Sequence, residues 1–492
     1  MKNIFKYKII SAILILVVIT SCEDAYKIEP FDQLGEDNTF TNLDELQQGL
    51  NGVYSRYNLE NEITYNSIVS DNTKPGFDNG GQLINLFNFV ISPSTGNANT
   101  IYNTYYRLIN SANRVIEFLP DIEPQIDDFQ DPVNFDADLK TFNNIKGQLI
   151  ALRATAHYHL HTYYSTDYTD PSALSVIISD FVPETNETFN RNTNQEVYDF
   201  IKSELATAKT LLSDDFNNVN FVTKDFITGM QARVALLEND PAGINFADEL
   251  INNGSYTLAN TESYQLMFQD LDQSEVIFNL ARTSDDGLVG GIWYFTNSDG
   301  PFIEASNSLF NSFDSNDVRL GVNINLGTEN GGPSEPDNNI HLINKYPGSG
   351  GTPYQNNIKA MRLSEIYLIK AELQAKAEGD LAGAAQTLKI LRDVRLGSDT
   401  PLASYANAEE AVTDVLSERR KELAYEGFRF LDIKRNKDFL NEGINRLEPL
   451  DCPSGNCNLS PNDFRFTLPI PQIELNAFPE IQQNPGYAGS NQ

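Results

Sequence analysis

The stretch MRLSEIYLIKAELQAKAEGDLAGAAQTLKILRDVRLG, Met361 to Gly397, decides the fold. In its first half Leu363, Ile366, Tyr367, Leu368, Ile369, Ala371 and Leu373 fall on nearly every side of a helical wheel. That pattern predicts a helix enclosed by neighbours rather than one lying on a surface. Gly379-Asp380 breaks it, and Ala384, Ala385, Leu388 and Leu391 then recur at helical spacing up to Gly397. A second helix ending near that glycine is expected, so the stretch forms a helical hairpin.

A second charged stretch follows, SERRKELAYEGFRFLDIKR, Ser417 to Arg435. Glu418, Arg419, Arg420 and Glu422 share a helix with Val415, Leu416 and Leu423, and Glu426, Gly427 and Arg429 come at a turn. Such a cluster suits an acid/base or anion site. It equally suits paired charges that hold hairpins in register, because a buried arginine is tolerated only among carboxylates and other acceptors. The second reading is preferred for Arg419, Arg420, Glu422, Glu426 and Arg429. It extends to Arg362 and Glu365, three apart on one helical face.

Upstream, Tyr198, Ile201, Leu205, Ala208 and Leu212 mark another amphipathic helix, opened by Thr193 with Glu196 three later as a capping box. Hairpins of this size resemble tetratricopeptide units, although no clean repeat of about 34 residues is visible. No Pro/Ser-rich linker divides the chain.

The first residues address the compartment. Lys2, Lys6 and Lys8 precede an apolar run from Ile9 to Ile19, too short for a stable membrane span and of the size of a signal-peptide core. The run ends in ITSC, so residues 1–21 read as a lipoprotein signal and Cys22 as the acylated residue, which anchors without spanning. Residues 22–37 then serve as a tether, and 38–492 form a single domain. Removing the three lysines of residues 1–21, a segment without acids, takes the formal charge from −33 to −36. That surface argues against nucleic acid or anionic lipid as a partner and makes a polyanionic glycan a poor ligand. Cys452 and Cys457 flank a Pro-Ser-Gly-Asn turn that would bring them together as a disulfide. The other reading, half of a metal site, finds no neighbouring His or Cys.

Both charged stretches resemble the paired signatures of the SusD/RagB family, surface lipoproteins that capture nutrients for TonB-dependent transporters in the Bacteroidetes outer membrane. Asn38 to Tyr57, Ile101 to Leu119, Gly147 to Tyr164, Ser274 to Arg282 and Leu468 to Tyr487 resemble further family segments in order. The weakest stretches, about 60–95 and 283–358, are loop-like, and in this family such loops tend to carry ligand specificity. The resemblance implies a mainly α fold of tetratricopeptide-like hairpins with long loop-rich insertions and a few short strands. It also implies a SusC-like transporter as partner, an oligosaccharide or polysaccharide as ligand, and no cofactor. Peptide capture is the alternative within the same architecture.

Catalytic chemistry is thin. His157 and His161 lie four apart on one helical face, but two ligands leave a zinc site half built, so no metal is assigned. GSGGTP, Gly348 to Pro353, lacks the lysine of a phosphate loop and reads as a flexible connection. A surface-anchored hydrolase would need a dyad or triad that the sequence does not single out. Ligand binding therefore falls to the loops. Trp293, Tyr294 and Phe295 stand beside Gly and Asn residues in GGIWYFTNSDG, which suits either a sugar-stacking surface or a strand with its aromatics in the core. Tyr65, Asp71, Asn72, Phe77, Asp78 and Asn79 gather in a turn-rich second candidate, YNSIVSDNTKPGFDNGG.

Overall fold

The computed structural model describes residues 40–123, 132–184, 187–283, 285–294, 300–327 and 339–487. Helices dominate it. Leu43–Tyr54 (α1) and Glu60–Val69 (α2) come first, then Gly96–Glu117 (α3), Pro132–Tyr164 (α4) and Asn194–Leu211 (α5). Lys224–Glu238 (α6), Ala242–Asn252 (α7) and Thr261–Phe268 (α8) follow. The charged stretches supply Leu363–Leu373 (α9), Leu381–Leu396 (α10), Ala408–Glu422 (α11) and Arg429–Leu440 (α12).

Local chemistry sets these boundaries. Asn42 caps α1 by accepting from the Glu45 N–H, and Thr193 with Glu196 forms a reciprocal capping box at α5. Between α9 and α10 the chain widens into a π-turn at Gln374–Glu378. It reverses at Gly379, whose φ of 72° is open to glycine, and restarts where the Asp380 side chain accepts from the Gly383 N–H. The expected hairpin is thus formed.

Packing joins the helices in series. α4 lies against α3 and α5, α6 against α7, α7 against α9, and α9 against α10 and α11, with α12 closing on α11. Leu368, Ala371, Leu388, Leu391, Val415 and Leu423 fill the space among α9, α10 and α11. The largest apolar cluster runs from Leu46 to Tyr487, so burial of side chains from both ends of the described chain contributes to one core.

Short antiparallel ribbons carry the loops. Thr73–Pro75 (β1) and Val276–Leu280 (β2) are followed by Ile303–Ala305 (β3), Ile324–Leu326 (β4) and His341–Ile343 (β5). Gly348–Ser349 (β6), Thr352–Pro353 (β7) and Ile358–Arg362 (β8) complete the set that matters here. β1 pairs with β3, β2 with β8, β4 with β5, and β6 with β7. Two expectations change. Gly348 to Pro353 is a paired ribbon rather than a flexible connection, and the stretch from residue 60 begins with α2, a buried helix rather than a loop.

Candidate functional site

The charged residues of α9–α12 close on one another. Glu422 accepts from Arg362 at 2.8 Å and from Arg395 at 2.9 Å, and pairs with Arg319 at 3.2 Å, with all four side chains essentially without exposure. Arg362 also reaches Glu275 at 2.6 Å and Glu426 at 2.8 Å, while Lys345 pairs with Glu426 at 2.9 Å. Burial alone would raise the Glu422 carboxyl, but Arg395 and Arg362 hold it well below the usual carboxylate range. Arg419 pairs with Asp432 at 2.9 Å. Arg362 and Glu365 do not pair with each other. Arg362 ends β8, one residue before α9 begins, and faces the Glu422 cluster, whereas Glu365 takes Arg233 at 2.6 Å.

Arg420 and Arg429 reach into the other candidate region. Arg429 holds Asp71 with two hydrogen bonds of 2.7 and 2.8 Å. Arg420 donates to the Asn72 carboxamide oxygen at 2.9 Å and the Asp71 carbonyl at 2.6 Å. Burial would push the Asp71 carboxyl up, yet Arg420 and Arg429 bring it below the usual range. Asp71 and Asn72, expected as ligand contacts, are buried ties between the loop and the helical scaffold. Tyr65 is also corrected: it is fully buried, edge-on to Tyr163 and Phe430.

Trp293 is corrected as an exposed stacking platform. It is 1 % exposed and packs edge-on against Tyr425 at 5.6 Å, so the core reading of this aromatic holds. Phe295 lies outside the described residues, as does Cys22. Tyr294 is half-buried, with its hydroxyl donating to the Ile343 carbonyl at 2.8 Å.

Two separate candidate segments nonetheless meet. Pairing of β1 with β3 sets Thr73 opposite Ala305, and the contact continues outward as Gly76 N–H donates to the Phe302 carbonyl at 3.0 Å. Asp78 N–H donates to Pro301 at 3.3 Å, and the Phe77 N–H donates to Glu304 at 2.9 Å. The Asn79 amide ties its own loop to Phe302 at 2.7 Å and to Gln82 at 2.9 Å. Glycine is required at two of these approaches. A Cβ at Gly76 would lie 2.3 Å from the Pro301 oxygen, and one at Gly300 would lie 2.9 Å from both the Asp78 Cβ and the Phe77 ring. The result is a pinned loop that presents Phe77, 44 % exposed, and the exposed Asp78.

A residue the sequence reading missed is linked to this loop through Tyr294, which bridges Pro301. Tyr354, at the end of β7 and 37 % exposed, stacks on Tyr294 with ring centroids 5.1 Å apart and planes 20° from parallel. Its carbonyl accepts from the Gly290 N–H at 2.9 Å, tying the ribbon to the segment that holds Trp293. Its neighbours in sequence are Gly, Thr and Pro on one side and Gln and Asn on the other, so no local pattern marks the tyrosine. Chemically, the loop face offers exposed rings for apolar contact beside carboxylate and amide groups for hydrogen bonds.

The remaining candidates bond within the protein. His157 bonds the Arg153 carbonyl at 2.8 Å through one ring nitrogen and accepts from the Ser179 N–H at 3.1 Å through the other, leaving no lone pair for a metal. His161 bonds the Ser175 hydroxyl at 2.7 Å through Nδ1, while its buried Nε2 has no hydrogen-bond partner and no cluster of three metal-ligating side chains forms among the described residues. Cys452 and Cys457 form a disulfide.

Comparison with known proteins gives a consistent picture. A family model described as SusD family matches residues 321–487, and one described as starch-binding associating with outer membrane matches residues 32–236. SusD-like protein P2 of Formosa agariphila is 25% identical, covering 98% of this chain and 100% of the relative. A SusD superfamily crystal structure from Bacteroides thetaiotaomicron is 26% identical with a TM-score of 0.76, over 90% of this chain and all (100%) of that one. Surface glycan-binding protein A from Bacteroides fluxus, at 18% identity, shares the fold with a TM-score of 0.68 over 90% of this chain and 99% of its own.

Proposed function

We propose that this chain, which belongs to the SusD family and associates with the outer membrane, captures neutral oligosaccharides at its loop face and passes them unaltered to a SusC-like TonB-dependent transporter. In this reading residues 1–21 are removed, acylated Cys22 anchors the chain at the cell surface, residues 22–37 are the tether, and 38–492 bind ligand as one unit.

The observation that carries the proposal is the exposed pair Phe77 and Tyr354, each just beyond a ribbon whose backbone is fixed by hydrogen bonds. Sugar hydroxyls exchange bonds to water for bonds to protein at little net gain, so ring stacking against the C–H faces supplies much of the preference. The net charge of −33 on the full sequence favours a neutral ligand over an acidic one. The name of the Bacteroides fluxus relative, a surface glycan-binding protein, points the same way.

The test has two readouts. Membrane fractionation of cells making the wild type or Cys22→Ala should show the variant released or unprocessed. Calorimetry of the detergent-solubilised full chain against neutral oligosaccharides, acidic oligosaccharides and peptides should show binding of the neutral set. Binding of peptides alone would replace the glycan reading with peptide capture through main-chain hydrogen bonds.

A further inference from the structure

Arg282 stands between two open clefts and holds a donor that the fold does not use. Its side chain is 7 % exposed. One terminal nitrogen pairs with Glu60 and donates to the Gly287 carbonyl at 2.8 Å, but its Nε–H has no hydrogen-bond partner among the described residues. The larger cleft, about 440 Å³, runs from Arg282 past Asn58 to a wall made by Tyr54 and Phe221. The smaller, about 290 Å³, runs from Arg282 past Asn357 to the β6–β7 ribbon. These sizes fall around the lower part of the usual range for small-ligand sites, roughly 300–1,000 Å³.

Asn58 and Asn357 repeat the pattern. The Asn58 carboxamide oxygen accepts from the Glu60 backbone N–H at 2.8 Å, and the Asn357 oxygen accepts from the Arg282 backbone N–H at 2.8 Å. A backbone N–H can only donate, so it fixes the oxygen inward and leaves each amide's NH2 end without a protein partner in the described residues. The aromatic wall is set similarly. The Tyr54 hydroxyl donates to Gln148 at 2.7 Å and accepts from the Val222 N–H at 2.8 Å, and the ring meets Phe221 edge-on at 5.3 Å. The clefts therefore combine the outward amide donors of Asn58 and Asn357, beside the enclosed Arg282 Nε–H, with an apolar wall.

The charges select the ligand. Arg282 is matched by Glu60, and Lys359 by Asp270. The Asp286 carboxylate, which accepts from the Thr283 N–H at 2.6 Å, forms no ion pair among the described residues. An anion entering here would meet an unmatched carboxylate in a chain already strongly acidic. Uncharged acceptors, such as sugar hydroxyl and ring oxygens, fit the donors at no such cost.

We infer that the paired clefts around Arg282 form a second neutral-saccharide site, distinct from the Phe77–Tyr354 patch and joined to it across the β6–β7 ribbon. This rests on the glycan reading above and deepens it. The ribbon borders both places: Ser349 and Thr352 line the smaller cleft, and Tyr354 follows directly on the loop side. A long oligosaccharide would engage both and a short one only one, so affinity depends on chain length.

Replacing asparagine by aspartate tests this with little change to the fold, since the inward oxygen stays and only the outward donor becomes a carboxylate. Size-graded neutral malto-, laminari- and manno-oligosaccharides are titrated into the detergent-solubilised full chain, as wild type, Asn58→Asp/Asn357→Asp and Ala281→Phe. Ala281 is an exposed residue on the cleft wall, so phenylalanine there blocks the cleft without breaking an internal hydrogen bond. The wild type should bind longer chains more tightly. Both variants should lose at least about tenfold for the longest, bind the shortest as before and melt with the wild type. Wild-type affinity for the longest chains in either well-folded variant would overturn the second site and leave the loop face standing. Failure of the wild type to bind any neutral glycan would overturn the glycan reading and this site with it.

Discussion

The Glu422 cluster and the Phe77 patch are built from similarly polar sequence, yet one turns all its chemistry inward and the other turns it out. Around Glu422, Glu275, Glu426, Arg319, Arg362 and Arg395 satisfy one another at 2.6–3.2 Å with almost no exposure. Around Phe77 the backbone spends its hydrogen bonds on the neighbouring ribbon, and the aromatic side chain is left in solvent. The difference teaches that charge density alone does not mark a site. What matters is whether the partners of each group lie within the protein.

The largest effect should come from breaking the first region. Glu422→Ala leaves Arg362, Arg395 and Arg319 each short of a carboxylate in a place water does not reach. A loss of about 3–5 kcal/mol is expected in urea denaturation, with oligosaccharide binding by the folded fraction unchanged. Intact stability with binding abolished would turn the cluster into a ligand site and erase the comparison.

Acid should act on the same region with a predictable sign. A carboxylate held below its unfolded value stabilises the fold above that value, and the contribution is lost as pH falls through the folded one. Burial opposes the charge of Glu418 and of Glu372, but Arg319 and Arg435 respectively hold them down to about 2, so both contributions fade between about 4.5 and about 2. Histidines open the loss earlier. Burial lowers His157 to about 4 and His161 to about 3, so below 6.5 the unfolded chain takes up protons that the fold refuses. Near pH 5 this amounts to about 2 kcal/mol for each imidazole. The urea midpoint should therefore decline from about pH 7 to about pH 5 and more steeply below about 4.5. A flat profile down to about pH 5 would mean that the two imidazoles are not held neutral.

These contrasts explain which parts were legible in the sequence. The α9–α10 hairpin was readable because apolar spacing, a Gly-Asp break and a terminal glycine are all local signals. α2 was not, since its buried face includes Glu62 and Asn66, which find partners in a distant helix, His159 at 2.9 Å and the Tyr163 hydroxyl at 2.5 Å. Asp71 carries the same turn-like sequence context as Asp78. Arg429, far along the chain, makes the first a structural tie, and no such cation reaches the second in the described residues. Tyr354 and the Arg282 clefts depend on ribbons meeting in space, which composition does not encode.

The smallest effect is also the sharpest division between scaffold and face, because two aromatics of one loop region should respond in opposite ways. Trp293→Phe removes ring volume from a packed site against Tyr425, for about 1–3 kcal/mol of stability, and exposes nothing that a ligand touches. Phe77→Ala removes a ring already 44 % in solvent, so the melting temperature should hold while affinity for a neutral oligosaccharide falls about tenfold, or about 1.4 kcal/mol. Calorimetry and thermal melting on both variants decide the matter. If Trp293→Phe weakened binding at unchanged stability and Phe77→Ala did the reverse, the tryptophan would belong to the ligand face and Phe77 to the structural loop.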